Sequence, residues 1–112
     1  MATFKTERKY PRFKPQGLVI AWKSNAQRTA SRAEMVGLGG LFLHTKNPAP
    51  VGSIVELFFD VKGGEVRAQA VVRDSVIGKG MGVQFVQMRP DDRARLSQFL
   101  LQCGPIEPAP QM

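Results

Sequence analysis

Two arginines near the start of the chain have the type and spacing expected of an anion-binding clamp. Arg8 and Arg12 stand four residues apart in the segment Arg-Lys-Tyr-Pro-Arg. A guanidinium group donates two parallel hydrogen bonds to a phosphate or a base edge, and its flat face stacks on a base. Because Pro11 and Pro15 disfavour a helix, we predict that residues 1–15 form an extended, mobile basic arm. On such an arm the two arginines would close over a flat, anionic nucleotide.

The overall composition agrees with an anionic partner. The chain has 112 residues, of which 16 are Lys or Arg and 9 are Asp or Glu, for a net charge of +7. A basic surface of this kind favours nucleotides, nucleic acid, anionic membranes or acidic protein surfaces. The hydrophobic share of 43% predicts one globular domain over residues 16–104, followed by a Pro-rich tail over residues 105–112. No apolar run suggests a membrane span or an export signal, which predicts a cytoplasmic protein.

Catalytic and metal chemistry are disfavoured by the residues present. His44 and Cys103 are the single histidine and the single cysteine, too few for an internal disulfide or a standard zinc site. No Gly-x-Ser-x-Gly elbow accompanies the histidine, and Glu56 and Asp60 would lie about 13 Å apart along a strand. We therefore predict no catalytic residue, no metal site and no cofactor. We expect His44 to end a strand with a solvated or hydrogen-bonded ring, and Cys103 to be a small core residue.

The middle of the chain has the pattern of antiparallel strands. One set of apolar residues alternates with its neighbours over residues 55–60 and again over residues 65–73, which is the two-residue period of a half-buried strand. Glycine turns separate these segments from each other and from the segment that follows. The remaining predicted strands are residues 18–23, 28–36, 41–43 and 81–86. Short strands with frequent turns and no intervening helices predict an all-β fold, a six-stranded antiparallel β-barrel.

One helix is predicted after the last strand. Pro90 suits a first helical position, and Asp91 and Asp92 place negative charge where the helix dipole is positive. Gly104 followed by Pro105 predicts the end of the helix. The apolar residues recur at helical spacing and should pack on the sheet; they are Leu96, Phe99, Leu100 and Cys103.

Taken in order, these features resemble the PilZ domain family over about residues 7–103. The RxxxR arm precedes a barrel whose strands include Gly-Gly-Leu-Phe-Leu at residues 39–43 and Gly-Met-Gly-Val-Gln-Phe-Val at residues 80–86. The last matching feature is the helix sequence Asp-Arg-x-x-Leu-x-x-Phe-Leu at residues 92–100. The resemblance implies a six-stranded barrel that binds the bacterial second messenger cyclic di-GMP. It also implies that the two arginines clamp the guanines and phosphates, while a D/NxSxxG turn supplies the opposing wall.

The second family motif is degenerate in this chain. Aligning it on Gly40 places Met35 at the Asp/Asn position and Gly37 at the Ser position. Shifting the alignment by one residue places Glu34 and Val36 there instead. The glycines are expected to allow close backbone approach. The predicted ligand-binding residues are Arg8, Arg12, Glu34, Met35, Gly37, Gly39 and Gly40.

The missing side chains predict weakened binding. Each lost hydrogen bond should cost on the order of 1 kcal/mol, and up to about 3 kcal/mol where a buried ligand group is left unpaired. Two losses correspond to roughly 30-fold to well over a thousandfold in affinity. Glu7 stands where family members that hold a stacked pair of ligands tend to have a further arginine. The resemblance therefore implies a single bound ligand.

Three functions remain open from the sequence. The first is a single-domain cyclic di-GMP receptor in which binding orders the arm and relays the signal to an unidentified effector protein. The second is a divergent interaction module that has lost the ligand and contacts a protein through Ile54, Phe58 and the arm. The third is a small basic barrel that binds nucleic acid, which is disfavoured because the strands lack interleaved surface aromatics.

Overall fold

The chain folds into a closed barrel of six strands followed by one helix. A computed structural model describes residues 17–25 and 28–103. All strand pairs are antiparallel, and the order β1-β2-β3-β6-β5-β4 closes because β1 also pairs with β4. This confirms the predicted fold class. The elements are β1 (Val19–Lys23), β2 (Arg28–Glu34), β3 (Gly40–His44), β4 (Ile54–Val61), β5 (Gly64–Val76), β6 (Gly80–Gln87) and α1 (Pro90–Leu101).

Alternation along the strands separates the core from the outer face of the barrel. In β4, Val55, Leu57 and Phe59 are buried, whereas the residues between them are partly exposed. Leu57 lies opposite Ala68 of β5, so the buried faces of neighbouring strands coincide. This is the register that a closed barrel requires, since a slip of one residue would turn every apolar side chain outward.

Trp22 is among the largest side chains of the barrel interior. It is 1% exposed, and its indole Nε1 donates a hydrogen bond of 2.9 Å to the hydroxyl of Ser31 on β2. The donor of a buried indole needs such a partner, which explains why a serine is tolerated inside the barrel. The hydrogen bond joins β1 to β2 from within.

The helix α1 contacts the barrel through an apolar edge and through one buried carboxylate. Leu96 and Leu100 are 0% and 2% exposed. Asp92 is also buried, and its Oδ1 accepts from the backbone N–H of Arg67 at 3.3 Å and from Arg95 Nη1 at 3.4 Å. Asp92 therefore does more than complement the helix dipole, because its side chain connects the first turn of α1 to β5.

The strand boundaries differ from the predicted ones where tertiary pairing extends or shortens a segment. β2 ends at Glu34, two residues earlier than predicted, and β3 begins one residue earlier, at Gly40. β5 continues to Val76, beyond the predicted end at Arg73, because Val76 pairs with Gly80 of β6. The alternation of buried and exposed residues is lost at the bulge between Val72 and Asp74. The strand predicted from that alternation was therefore too short.

The helix ends sooner than the apolar stripe suggested. α1 stops at Leu101, so Cys103 lies beyond it, half-buried and outside the hydrophobic core. The prediction that Cys103 is a core residue is wrong. Its Sγ donates to the carbonyl of Phe99 at 3.5 Å, and partial burial raises the pKa of the thiol. Phe99 packs at the edge of the core.

The proposed arm (residues 1–15), which includes Arg8 and Arg12, and the Pro-rich tail (residues 105–112) lie outside the described residues. Across residues 17–25 and 28–103, no helix has the length and apolar character needed to cross a bilayer.

Candidate functional site

Five of the seven predicted ligand-binding residues lie between the end of β2 and the start of β3, both ends included. We call residues 35–40 the motif loop; Glu34 precedes it as the last residue of β2. The loop is tied to itself by the N–H of Gly37, which donates to the carbonyl of Gly40 at 2.9 Å. It is tied to β6 by the N–H of Phe85, which donates to the carbonyl of Gly39 at 2.9 Å. A side chain of α1 also holds the loop, because Arg93 Nη1 donates to the carbonyl of Leu38 at 3.4 Å.

Met35, the first residue of the motif loop, has a left-handed backbone. Its φ is +56°, and among the described residues it is the one non-glycine residue with a positive φ. Asparagine and aspartate adopt this conformation far more readily than methionine, because their short polar side chains bond locally. The position therefore has the backbone of an Asp/Asn site and the side chain of neither.

Gly40, the last residue of the motif loop, is required by packing. A Cβ placed there would lie 2.1 Å from the carbonyl oxygen of Val83 on β6, far inside contact distance. The glycine allows close approach of two strands, while the predicted close approach of a ligand to the backbone here stays a prediction. Gly37 is buried and its φ is not positive, so its backbone conformation is open to other residues.

Glu34 forms the principal polar contact beside the motif loop. Its Oε1 is hydrogen-bonded to Nε2 of His44, the last residue of β3. A carboxylate only accepts, so Nε2 donates. The Phe42 ring meets the imidazole edge-on with centroids 5.2 Å apart. The side chains of His44 and Glu34 are 42% and 39% exposed, so the pair is held in place yet reachable from solvent. The expectation that His44 ends a strand with a hydrogen-bonded ring is confirmed.

His44 was missed as a member of this site. In isolation it ends a strand ten residues from Glu34 along the chain. The pairing places Glu34 opposite Phe42, and His44 follows on the same outward face of β3. The alternation of β2 and β3 contained the signal, but only the strand register brings the two side chains together.

A second charged region lies where α1 meets the start of β5. It is an open cleft of about 330 Å³, with three arginines and three acidic residues around it. Arg67 Nε donates to Glu65 Oε1 at 2.9 Å, and Arg95 contacts the buried Asp92. Because the three acidic residues balance the three arginines, the cleft has no surplus positive charge to attract an anion. The lining residues are Glu65, Arg67, Arg89, Asp91, Asp92 and Arg95.

The outer face of β4 matches only part of the predicted interaction surface. Ile54 is 52% exposed. Phe58, expected to be exposed, is half-buried, and the Arg67 guanidinium lies over its ring, 5.5 Å from the centroid. Arg67 was not expected there, and the register that places it opposite Phe58 explains the cover.

Solved structures of similar fold share little sequence with the chain. The Bacillus subtilis inhibitor of motility (MotI/DgrA) matches with a TM-score of 0.72 at 15% identity over 88% of this chain and 51% of its own. The K. pneumonia MrkH–c-di-GMP complex matches with a TM-score of 0.69 at 19% identity over 87% of this chain and 52% of its own. This chain thus spans about half the length of those two proteins.

A third structure is matched over most of its own length. The PilZ domain of CeSA from a cellulose-synthesizing bacterium has a TM-score of 0.60 at 12% identity, over 75% of this chain and 89% of its own. A comparison with curated proteins found no match. The PilZ domain model matches residues 6–102, which contain both the RxxxR segment and the motif loop. This chain, with its six-stranded barrel and terminal helix, therefore belongs to the PilZ domain family.

Proposed function

We propose that the chain is a cyclic di-GMP receptor of reduced affinity that passes the signal to a protein partner. Arg8 and Arg12 bind the phosphates and guanines from the N-terminal side, and the motif loop forms the opposing wall. Ligand binding brings the N-terminal segment against the barrel and so changes the surface offered to an effector. Family membership and the complex of MrkH with c-di-GMP support this assignment.

The backbone of the motif loop is the observation that carries the proposal. Met35 keeps the left-handed φ of +56°, and Gly40 keeps a position with no room for a Cβ. The left-handed conformation costs an ordinary residue about 1–2 kcal/mol. Without a ligand to bind, the loop would have no reason to hold a methionine in this conformation. Retention of the geometry supports retention of a binding wall.

Weak binding follows from the chemistry of the two altered positions. Met35 has no hydrogen-bonding group for a base edge beyond a weakly accepting sulfur, and Gly37 has no hydroxyl. With a cost of about 1–3 kcal/mol for each lost contact, the affinity falls by roughly 30-fold to well over a thousandfold relative to an intact motif.

Isothermal titration calorimetry with cyclic di-GMP tests the proposal. The intact chain should bind one ligand in the micromolar to high-micromolar range, with an affinity that falls as salt rises. The variant Arg8→Ala/Arg12→Ala should give no heat under the same conditions. Lys62→Ala/Arg89→Ala, which removes two exposed cations that lie outside the motif loop and its flanking strands, controls for net charge. Absence of heat from the intact chain, or binding that survives loss of Arg8 and Arg12, would overturn the proposal.

A ligand-free interaction module is the second candidate, favoured by the exposure of Ile54. It predicts no heat with cyclic di-GMP at any salt concentration. Nucleic-acid binding has less support, because every tryptophan and phenylalanine ring within residues 17–25 and 28–103 is buried or half-buried, so none of these rings forms an exposed stacking platform. A salt-dependent filter-binding signal with polynucleotide would support nucleic-acid binding.

A further inference from the structure

We propose that Glu34, held by His44, reads the Watson–Crick edge of a guanine and so supplies the base specificity that Met35 no longer provides. The inference rests on the proposed function, because it assigns a contact within the same site. Glu34 is the contact residue, and His44 is a positioning residue that acts through it.

The location of Glu34 suits this role. It ends β2 and is bonded directly to Met35, the altered first position of the motif loop. Its side chain is on the outward face of β2 and is 39% exposed. The left-handed backbone at Met35 interrupts the strand alternation there. The side chain of Glu34 therefore lies at the edge of the proposed ligand-binding surface, next to the position that Met35 occupies in the motif.

The chemistry of the carboxylate matches guanine in particular. Oε1 is engaged by His44, while Oε2 has no hydrogen-bond partner among residues 17–25 and 28–103. Guanine presents two parallel donors, N1–H and the 2-amino group, and a carboxylate accepts both as charge-assisted hydrogen bonds. Adenine presents an acceptor at N1, which would face the carboxylate with no proton between them. The same group therefore binds one purine and rejects the other.

His44 restricts Glu34 to a single direction before a ligand arrives. Its Nε2–H holds Oε1, and the imidazole itself is braced by the edge of Phe42. A glutamate fixed in advance loses less rotational freedom on binding than a free one. Removing His44 should weaken binding without altering which base is preferred.

The negative charge of Glu34 is compensated nearby. Arg32 lies two residues earlier on the same outward face of β2 and is exposed. Its positive charge lowers the local negative potential around the carboxylate. The carboxylate of Glu34 can therefore contact a guanine edge of a dianionic nucleotide at a lower electrostatic cost than an acidic residue with no cation nearby.

The test is a double-mutant cycle between the protein and the ligand. Dissociation constants for cyclic di-GMP and for cyclic di-inosine monophosphate, which lacks the 2-amino groups, are measured by amide shift titration of the labelled full chain. The native chain should bind the inosine ligand on the order of 10-fold more weakly, as expected for a lost hydrogen bond to a charged group. Glu34→Ala should bind both ligands equally and weakly. His44→Ala should weaken both while keeping the preference for guanine.

Glu56→Ala is the matched control. Glu56 is also an outward-facing strand glutamate in an ion pair, with Lys23 at 3.7 Å and a side chain 44% exposed. It should keep both the native affinity and the guanine preference. If Glu34→Ala retains the native preference for cyclic di-GMP, the inference is overturned while the receptor function stands. If the native chain binds neither ligand, the receptor function fails and the inference with it.

Discussion

The motif loop and the cleft beside α1 both collect polar chemistry at the ends of strands, yet they differ in what their groups already bind. In the cleft, Asp92 is buried and accepts hydrogen bonds from Arg67 and Arg95. At the motif loop, Met35 has a left-handed backbone, and the side chains at Met35 and Gly37 offer little to bond. Charges that already have partners stabilise a fold, whereas an unusual backbone conformation is the kind of feature from which we propose a binding role.

Restoring the motif should produce the largest effect. Met35→Asn/Gly37→Ser supplies an amide and a hydroxyl at the two altered positions and should tighten cyclic di-GMP binding by roughly 30-fold to well over a thousandfold. Calorimetry measures the change. Asp92→Asn, in the cleft, is the matched variant and should leave affinity unchanged. An unaltered dissociation constant in the restored motif would show that this loop is not the ligand wall.

Closing the space at Gly40 should give the next largest effect. Gly40→Ala forces a Cβ against the carbonyl of Val83 at 2.1 Å, so β3 and β6 must separate, at about 3 kcal/mol of unfolding free energy. Urea unfolding followed by circular dichroism measures the loss. Gly82→Ala is the control, since its Cβ would meet Asp74 at an ordinary 3.6 Å. Equal stability of the two variants would contradict the packing argument.

Removing the buried carboxylate of the cleft should weaken the fold and spare the ligand. Asp92→Ala leaves the backbone N–H of Arg67 without its partner and should cost about 1–3 kcal/mol of stability. The exposed neighbour Asp91 contributes only through the helix dipole, so Asp91→Ala should cost less than about 1 kcal/mol. Thermal unfolding of both variants separates the two contributions. Comparable losses would mean that the dipole, and not the hydrogen bonds to β5, accounts for Asp92.

The smallest expected effect is on the stability of the motif loop itself. Met35→Asn should raise the unfolding free energy by roughly 0.5–1 kcal/mol, because asparagine adopts a positive φ at lower cost. Met35→Ala removes the same side-chain contacts without that benefit, so the difference between the two variants isolates the backbone contribution. Denaturant midpoints measure it. A less stable asparagine variant than alanine variant would argue against strain at Met35.

Local pattern was enough to predict the barrel and the helix. A two-residue alternation such as Val55, Leu57 and Phe59 assigns one face of a strand to the interior whatever its neighbours are. Pro90 and the two acids after it located the start of α1 for an equally local reason. The end of β5 was not predictable in this way, because pairing with β6 continues through the bulge after Val72, where alternation stops.

The amino-acid sequence by itself determined the fold class, the cationic charge, the RxxxR pair and the loss of both polar groups from the second motif. Only the tertiary structure decided that Met35 keeps a left-handed backbone, that Glu34 meets His44, and that Asp92 is a buried link to β5. The first set depends on residue type and on spacings within single elements. The second depends on strand register and on packing between elements, which place residues ten or more positions apart in contact.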